Sequence, residues 1–295
     1  MIKNPVDTAL EKHLDYLKLP YLKENCRPFA AEGNAKHWNH IDYLARLIEG
    51  EAAARHDRTI LHRIKAARFP LLKTLESFRW DWPKKINQLQ IQDLFRLRFI
   101  EEKSNAIFLG LCGLGKTHLS TALGYAACQH GYSVLFANAI DAINTLSVAQ
   151  AQGALKTQLK RYLSPALLIL DEVGYLPIDQ RGADLLFQVI SQRYERGSIV
   201  ITSNKAFKQW PSIFNGDSTI TSAVLDRLLH HAETVIIEGS SLPHERPHRN
   251  LTAKNLCVLA IKTGHSLSDP QTAGFAGFFR RRAQLRSAKP FYVHF

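Results

Sequence analysis

A chain of 295 residues that is 45% apolar has room for one large domain or two smaller ones, and enough apolar side chains for a core. Its formal net charge of +12 points to a polyanionic partner, nucleic acid above all. Cys26, Cys112, Cys128 and Cys257 lie far apart with no C-x-x-C pair, and the thirteen histidines show no H-E-x-x-H or comparable ligand spacing, so neither a zinc site nor a disulfide framework is indicated. No apolar run approaches the roughly 20 residues that cross a bilayer.

In chain order, Met1–Pro5 carries no apolar signal region, so a reduced, cytoplasmic protein is expected. Leu10, Leu14 and Leu17 recur at helical spacing, and Pro20 closes that segment. A second helix is predicted over Tyr21–Glu32, ended by Gly33 and Asn34, and a third over Ile41–Ala67. The third has apolar positions at Ile41, Leu44, Leu47, Ile48, Ile60, Ile64 and Ala67. Arg46, Arg55, Arg58, Arg63, Lys65 and Arg68 stand on its other side. That basic face suits DNA phosphate, or is simply a solvated face with i,i+4 pairs such as Glu51–Arg55. Phe69-Pro70 ends the helix. Trp80-Asp81-Trp82-Pro83 reads as an ordered linker whose aromatics pack, or touch a base. A helix is predicted over Ile86–Glu102.

Ala106–Thr117 then runs from an apolar strand into a glycine-rich turn that ends in Lys-Thr, matching G-x-x-x-x-G-K-[ST] from Gly110 to Thr117. A helix follows, to about His130-Gly131. The glycines let the backbone wrap around a phosphate, and the helix N-terminus adds partial positive charge. Lys116 supplies a cation for the outer phosphates, and the Thr117 hydroxyl suits Mg²⁺. Aliphatic strands are predicted at 133–137, 166–170, 198–202 and 234–237. Helices between them are predicted over 139–163 with a break near Gly153, over 181–196, and over 223–231. Such alternation gives a doubly wound parallel sheet of five strands. Asp171 and Glu172 follow the third strand, where open α/β sheets hold their ligands. Asp171 suits a metal, and Glu172 suits polarising an attacking water. Asn204, at the tip of the fourth strand, is placed to reach the γ-phosphate or that water, or else forms a turn.

Five segments together resemble IstB-family ATPases, the helper proteins of a bacterial insertion-sequence family, similar to the helicase loader DnaC and of the AAA+ class. They are Gly110–Thr117, Leu168–Pro177, Arg193–Ser198, Thr202–Asn204 and Leu225–His231. The resemblance covers roughly residues 8 to 239. It implies an AAA+ P-loop NTPase core with a five-stranded parallel sheet, preceded by a small helical domain. The expected limits are 1–76 for the helical domain, 77–242 for the ATPase core and 243–295 for a basic tail. It implies ATP bound by Gly110, Leu111, Cys112, Gly113, Leu114, Gly115, Lys116, Thr117 and His118. Mg²⁺ falls to Thr117 and Asp171, and catalysis to Glu172, Asn204 and Arg227. Arg227 matches an arginine finger offered to a neighbour's nucleotide; an internal pair with Asp226 or Glu233 is the alternative. The implied partners are double-stranded DNA, the transposase of the same insertion sequence and further copies of the chain, with no membrane. The alternatives in function are a replicative helicase loader on single-stranded DNA and a nucleotide-binding scaffold with little hydrolysis. The sequence departs from the family after Gly239, where Ser240-Ser241-Leu242-Pro243 replaces the usual Gly-x-Ser-Tyr-Arg ending. The tail is expected to lie outside the ATPase fold.

Overall fold

The computed structural model describes residues 5–239, so the expectations for the tail fall outside the described residues. The chain divides into two compact units between His62 and Arg63.

The first unit is helical. It comprises α1 (Pro5–Tyr16), α2 (Pro20–Ala35) and most of α3 (His40–Ala67). Leu14, Leu22 and Leu47 form its small core, with Phe29 and Tyr43 packed against them. Gly33 does not end α2 but lies buried within it, under the Trp38 ring. The expected Glu51–Arg55 pair is not the one that forms. Glu51 is only 4% exposed and accepts from Arg58 at 2.6 Å and from the Leu22 amide. A buried carboxylate needs such partners, so Arg58 is committed inside the unit. Ile41, Leu44 and Ile48 belong to the predicted apolar set, yet they stand exposed on a separate stripe from Leu47.

The second unit is built on a parallel sheet in the order β2-β3-β4-β1-β5. Its strands are β1 (Asn105–Gly110), β2 (Val134–Asn138), β3 (Leu167–Val173), β4 (Ser198–Ser203) and β5 (Ala232–Ile237). Both faces are covered, which is why the strands read as unbroken aliphatic runs. Ile107, Leu109, Leu168, Leu170, Ile199 and Ile201 pack against α7 (Ala139–Ala151), α8 (Leu155–Leu163), α9 (Gln180–Arg193) and α10 (Ser218–Leu229). The opposite face meets α6 (Lys116–Gln129), where Gly124 lets Ile169 and Phe69 approach the helix. Each such aliphatic side chain contributes about 1.5–3 kcal/mol on full burial.

One predicted helix is shorter than its periodicity suggests. The segment 86–102 becomes α4 (Gln88–Leu94) and α5 (Arg98–Glu101), because Leu97 takes φ 63° between them and is buried. The predicted break near Gly153 is present, at φ 70°.

Arg193 is 1% exposed and closes the base of α9. Its guanidinium donates to the carbonyls of Tyr162, Leu163, Pro165, Ala166 and Ser198, fixing the α8–β3 turn against the start of β4. Burial pulls its pKa down to about 10, which still leaves it charged at neutral pH. Arg193→Met strips those carbonyls of a charged donor. Hydrogen bonds to charged groups contribute about 1.5–3 kcal/mol each, so a loss of at least about 3 kcal/mol is expected. Thermal unfolding checks it, with a fall of roughly 6–12 °C for a domain of this size.

Candidate nucleotide-binding site

The sheet order sets the site. β4 lies between β1 and β3, so its tip stands between the loop that follows β1 and the acids that end β3. The cleft there measures about 320 Å³ and is lined by Cys112, Gly113, Gly115, Lys116, Thr117, Glu172, Tyr175, Thr202 and Asn204.

The loop's glycines have physical causes. Gly115 caps α6 at φ 84°, and a side chain there would meet the Phe78 ring at 2.6 Å. At Gly110 a Cβ would come 2.4 Å from the Ile237 carbonyl oxygen, since β5 runs directly beside the end of β1. Lys116 is 9% exposed, and its amine donates to the Leu111 carbonyl at 2.8 Å. Burial lowers its pKa, against the pull of Cys112, Asp171 and Glu172.

Asp171 is 5% exposed and accepts from two hydroxyls, Thr202 at 2.6 Å and Thr117 at 3.0 Å. Burial raises its pKa, while those two hydrogen bonds hold it down. Hydroxyl and carboxylate oxygens side by side are the hard donors that Mg²⁺ takes. Beyond Asp171 the pairing with β4 slips, a bulge between Leu170 and Val173. Glu172 sits in that bulge at φ 61°, with its amide donating to the Thr202 hydroxyl. Bulges re-aim side chains beside active sites, and here Glu172 is exposed to the cleft while Asp171 is buried. The Glu172 carboxylate accepts from Asn138 Nδ2 at 2.8 Å. Asn204 stands with Nδ2 3.9 Å from Cys112 Sγ, and its buried Oδ1 has no partner among the described residues. An unused acceptor at that point suits an incoming water or a bound group.

The structure thus brings together Cys112, Gly113, Gly115, Lys116, Thr117, Asp171, Glu172 and Asn204. Three other expected residues point elsewhere. Leu114 is buried at 1% exposure and packs beneath Gly239. His118 turns to the linker, with Nε2 2.9 Å from the Thr74 carbonyl and its ring edge-on to Phe78; burial lowers its pKa. Phe78 also packs on Trp80, so the linker aromatics brace the loop from behind. Arg227 lies by Asn105, the first residue of β1, and Ile199, the second of β4, at the other end of the strands. It pairs with neither Asp226 nor Glu233: it donates to the Ala223 carbonyl and lies 5.0 Å from the Phe187 ring centroid. Sequence reasoning missed Asn138, Thr202 and Tyr175. Asn138 was the readable one, since an Asn opening a helix after a strand is an N-cap. Its Oδ1 does accept from the Ile140 amide, which leaves the Nδ2 group for Glu172.

Sheet order, phosphate loop and strand-end acids define a P-loop nucleotide-binding protein of the AAA+ type. Residues 12–249 match the model of the IstB-like ATP binding proteins, and the chain belongs to that family. Two relatives named for ATP binding come from insertion sequences. The IS21 protein of Pseudomonas aeruginosa is 39% identical over 232 residues, 79% of this chain and 87% of the relative. The IS5376 protein of Geobacillus stearothermophilus is 37% identical over 232 residues, 79% of this chain and 92% of the relative. Among solved structures, the DnaC helicase loader aligns with a TM-score of 0.46 at 23% identity, over 56% of this chain and 96% of the other. Among the described residues no helix is long and apolar enough to cross a membrane.

Proposed function

We propose that this protein hydrolyses ATP as the helper of an insertion-sequence transposase, assembling with further copies of itself on double-stranded DNA. The observation that carries the reading is the joint placement of Lys116, Thr117–Asp171, Glu172 and Asn204 around one cleft, in a chain of an insertion-sequence family. Lys116 and the loop amides hold the phosphates. Thr117 and Asp171 would hold Mg²⁺, which when bound neutralises phosphate charge. Glu172 takes the proton of a water that Asn204 orients. The water oxygen then bonds to the γ-phosphorus as the bond to the bridging oxygen breaks and ADP leaves.

Phosphate release by the full chain, alone and with duplex or single-stranded DNA, tests this. Duplex stimulation is expected. Stimulation by single strands alone would indicate a helicase loader, and ATP binding without turnover a scaffold; either outcome sinks the proposal.

The DNA contact is proposed to be with the phosphate backbone. Lys65 and Arg68 are exposed near the end of α3, whereas Arg58 is held by Glu51. Affinity for duplex DNA is expected to fall with salt by about 0.9 log units per log unit of salt for each phosphate neutralised. Lys65→Glu with Arg68→Glu should flatten that slope by about two such contacts. A salt-independent affinity would rule out the phosphate grip.

A further inference from the structure

At the amino end of the strands, the turn after α9 and the turn after α10 bring three metal-competent side chains together. Donor atoms of Glu195, His230 and His231 all lie within 4.8 Å of one another, and all three side chains are exposed. The cluster is preorganised on both sides. Glu195 takes φ 57°, a backbone conformation uncommon outside glycine. The turn that carries it is tied by the Arg196 and Gly197 amides, both donating to the Arg193 carbonyl. The two imidazoles meet edge to face, with centroids 4.2 Å apart.

Tyr194 braces His230: its hydroxyl lies 2.8 Å from His230 Nδ1. With Nδ1 in contact with that hydroxyl, Nε2 is the ring nitrogen left for a ligand.

We propose that Glu195, His230 and His231 bind a divalent transition-metal ion of the zinc type. Two imidazole nitrogens and one carboxylate oxygen form a donor set that zinc accepts, with water completing four ligands. Ligand atoms about 2.0–2.1 Å from a tetrahedral zinc stand about 3.4 Å apart, a closure that exposed side chains reach by rotation. A hydrogen bond at the remote ring nitrogen, like the contact between His230 Nδ1 and Tyr194, is the usual support for a metal-ligating histidine. The site also lies at the C-terminus of α10, whose dipole favours a cation. Arg227 and Lys103 line the small cavity that Glu195 and His231 share, and their charge opposes the ion. The donor set outweighs them because it supplies direct bonds. Zinc motifs of fixed spacing miss this cluster, since Glu195 comes from a different turn.

The test is a titration of the metal-free full chain with Co²⁺, read by its visible absorption and followed by displacement with Zn²⁺. It requires no ATPase activity, so it stands apart from the helper reading. One tetrahedral cobalt equivalent is expected, lost in the His230→Ala/His231→Ala variant. Tyr194→Phe, which keeps all three ligands, should weaken binding roughly 10–100-fold. The same stoichiometry and affinity in all three proteins would overturn the proposal. Should the double variant not fold, carbethoxylation of the wild-type chain decides. Zinc is expected to protect His230 and His231 from the reagent, and equal modification with and without zinc overturns the site.

Discussion

Glu172→Gln is expected to bind ATP as the parent does and to lose hydrolysis by about 10²–10⁴-fold, the range assigned to a general base. The substitution is nearly isosteric. Asn138 Nδ2 now donates to a carboxylate oxygen of Glu172, and the amide oxygen of Gln can accept the same bond. The bulge and the hydrogen bond from the residue 172 amide to Thr202 involve only backbone on this side, so they persist. What disappears is the basic oxygen that takes the water's proton. Calorimetric ATP affinity should stay unchanged while phosphate release collapses. The ATP-bound assembly should also last longer on DNA. Turnover at the parental rate would remove Glu172 from the role of base. Weakened ATP binding would instead mean that the carboxylate shapes the phosphate cradle.

Much of this site is legible without coordinates because its causes are local. The phosphate loop needs glycine where Gly115 takes a left-handed conformation, and it needs Lys and Thr at the helix start. The five strands read as aliphatic runs because helices cover both faces. What stayed hidden depends on tertiary contact. Leu97 fits the helical period of 86–102, yet a buried site holds it at φ 63° and splits that helix. β3 continues through Asp171 and Glu172 to Val173, because a bulge re-aims the acids instead of ending the strand. α10 starts at Ser218, ahead of its predicted first residue at 223, on an Asp217 cap that accepts from the Thr219 and Ile220 amides. Trp210 and Phe214 are fully buried around a short 3₁₀ turn that no periodicity announces. His118 sits in register with the loop motif but turns to Thr74 and Phe78, contacts that only the folded linker supplies.

Arg227→Ala is expected to leave ATP binding by the isolated chain intact and to remove assembly-dependent hydrolysis by roughly 10³–10⁵-fold, the effect of an arginine finger supplied in trans. Arg227 lies beside Asn105 at the start of β1, while the phosphate loop follows Gly110 at its end. Six residues of strand span roughly 20 Å at about 3.3 Å each, more than an arginine side chain bridges. Within one chain, then, Arg227 cannot reach the phosphates, and any role in hydrolysis falls on a neighbour's nucleotide. Its present contacts are weakly binding: one carbonyl on its own helix and the face of Phe187. An exposed ion pair would contribute about 0–1 kcal/mol, so a loss of several orders of magnitude cannot come from surface electrostatics. Mixing Arg227→Ala with Glu172→Gln separates the two explanations. In a mixed assembly, a Glu172→Gln subunit offers its arginine to the intact Glu172 of an Arg227→Ala subunit. Activity should then return, highest near equal amounts. If the two variants co-assemble and stay inactive at every ratio, Arg227 acts only within its own chain.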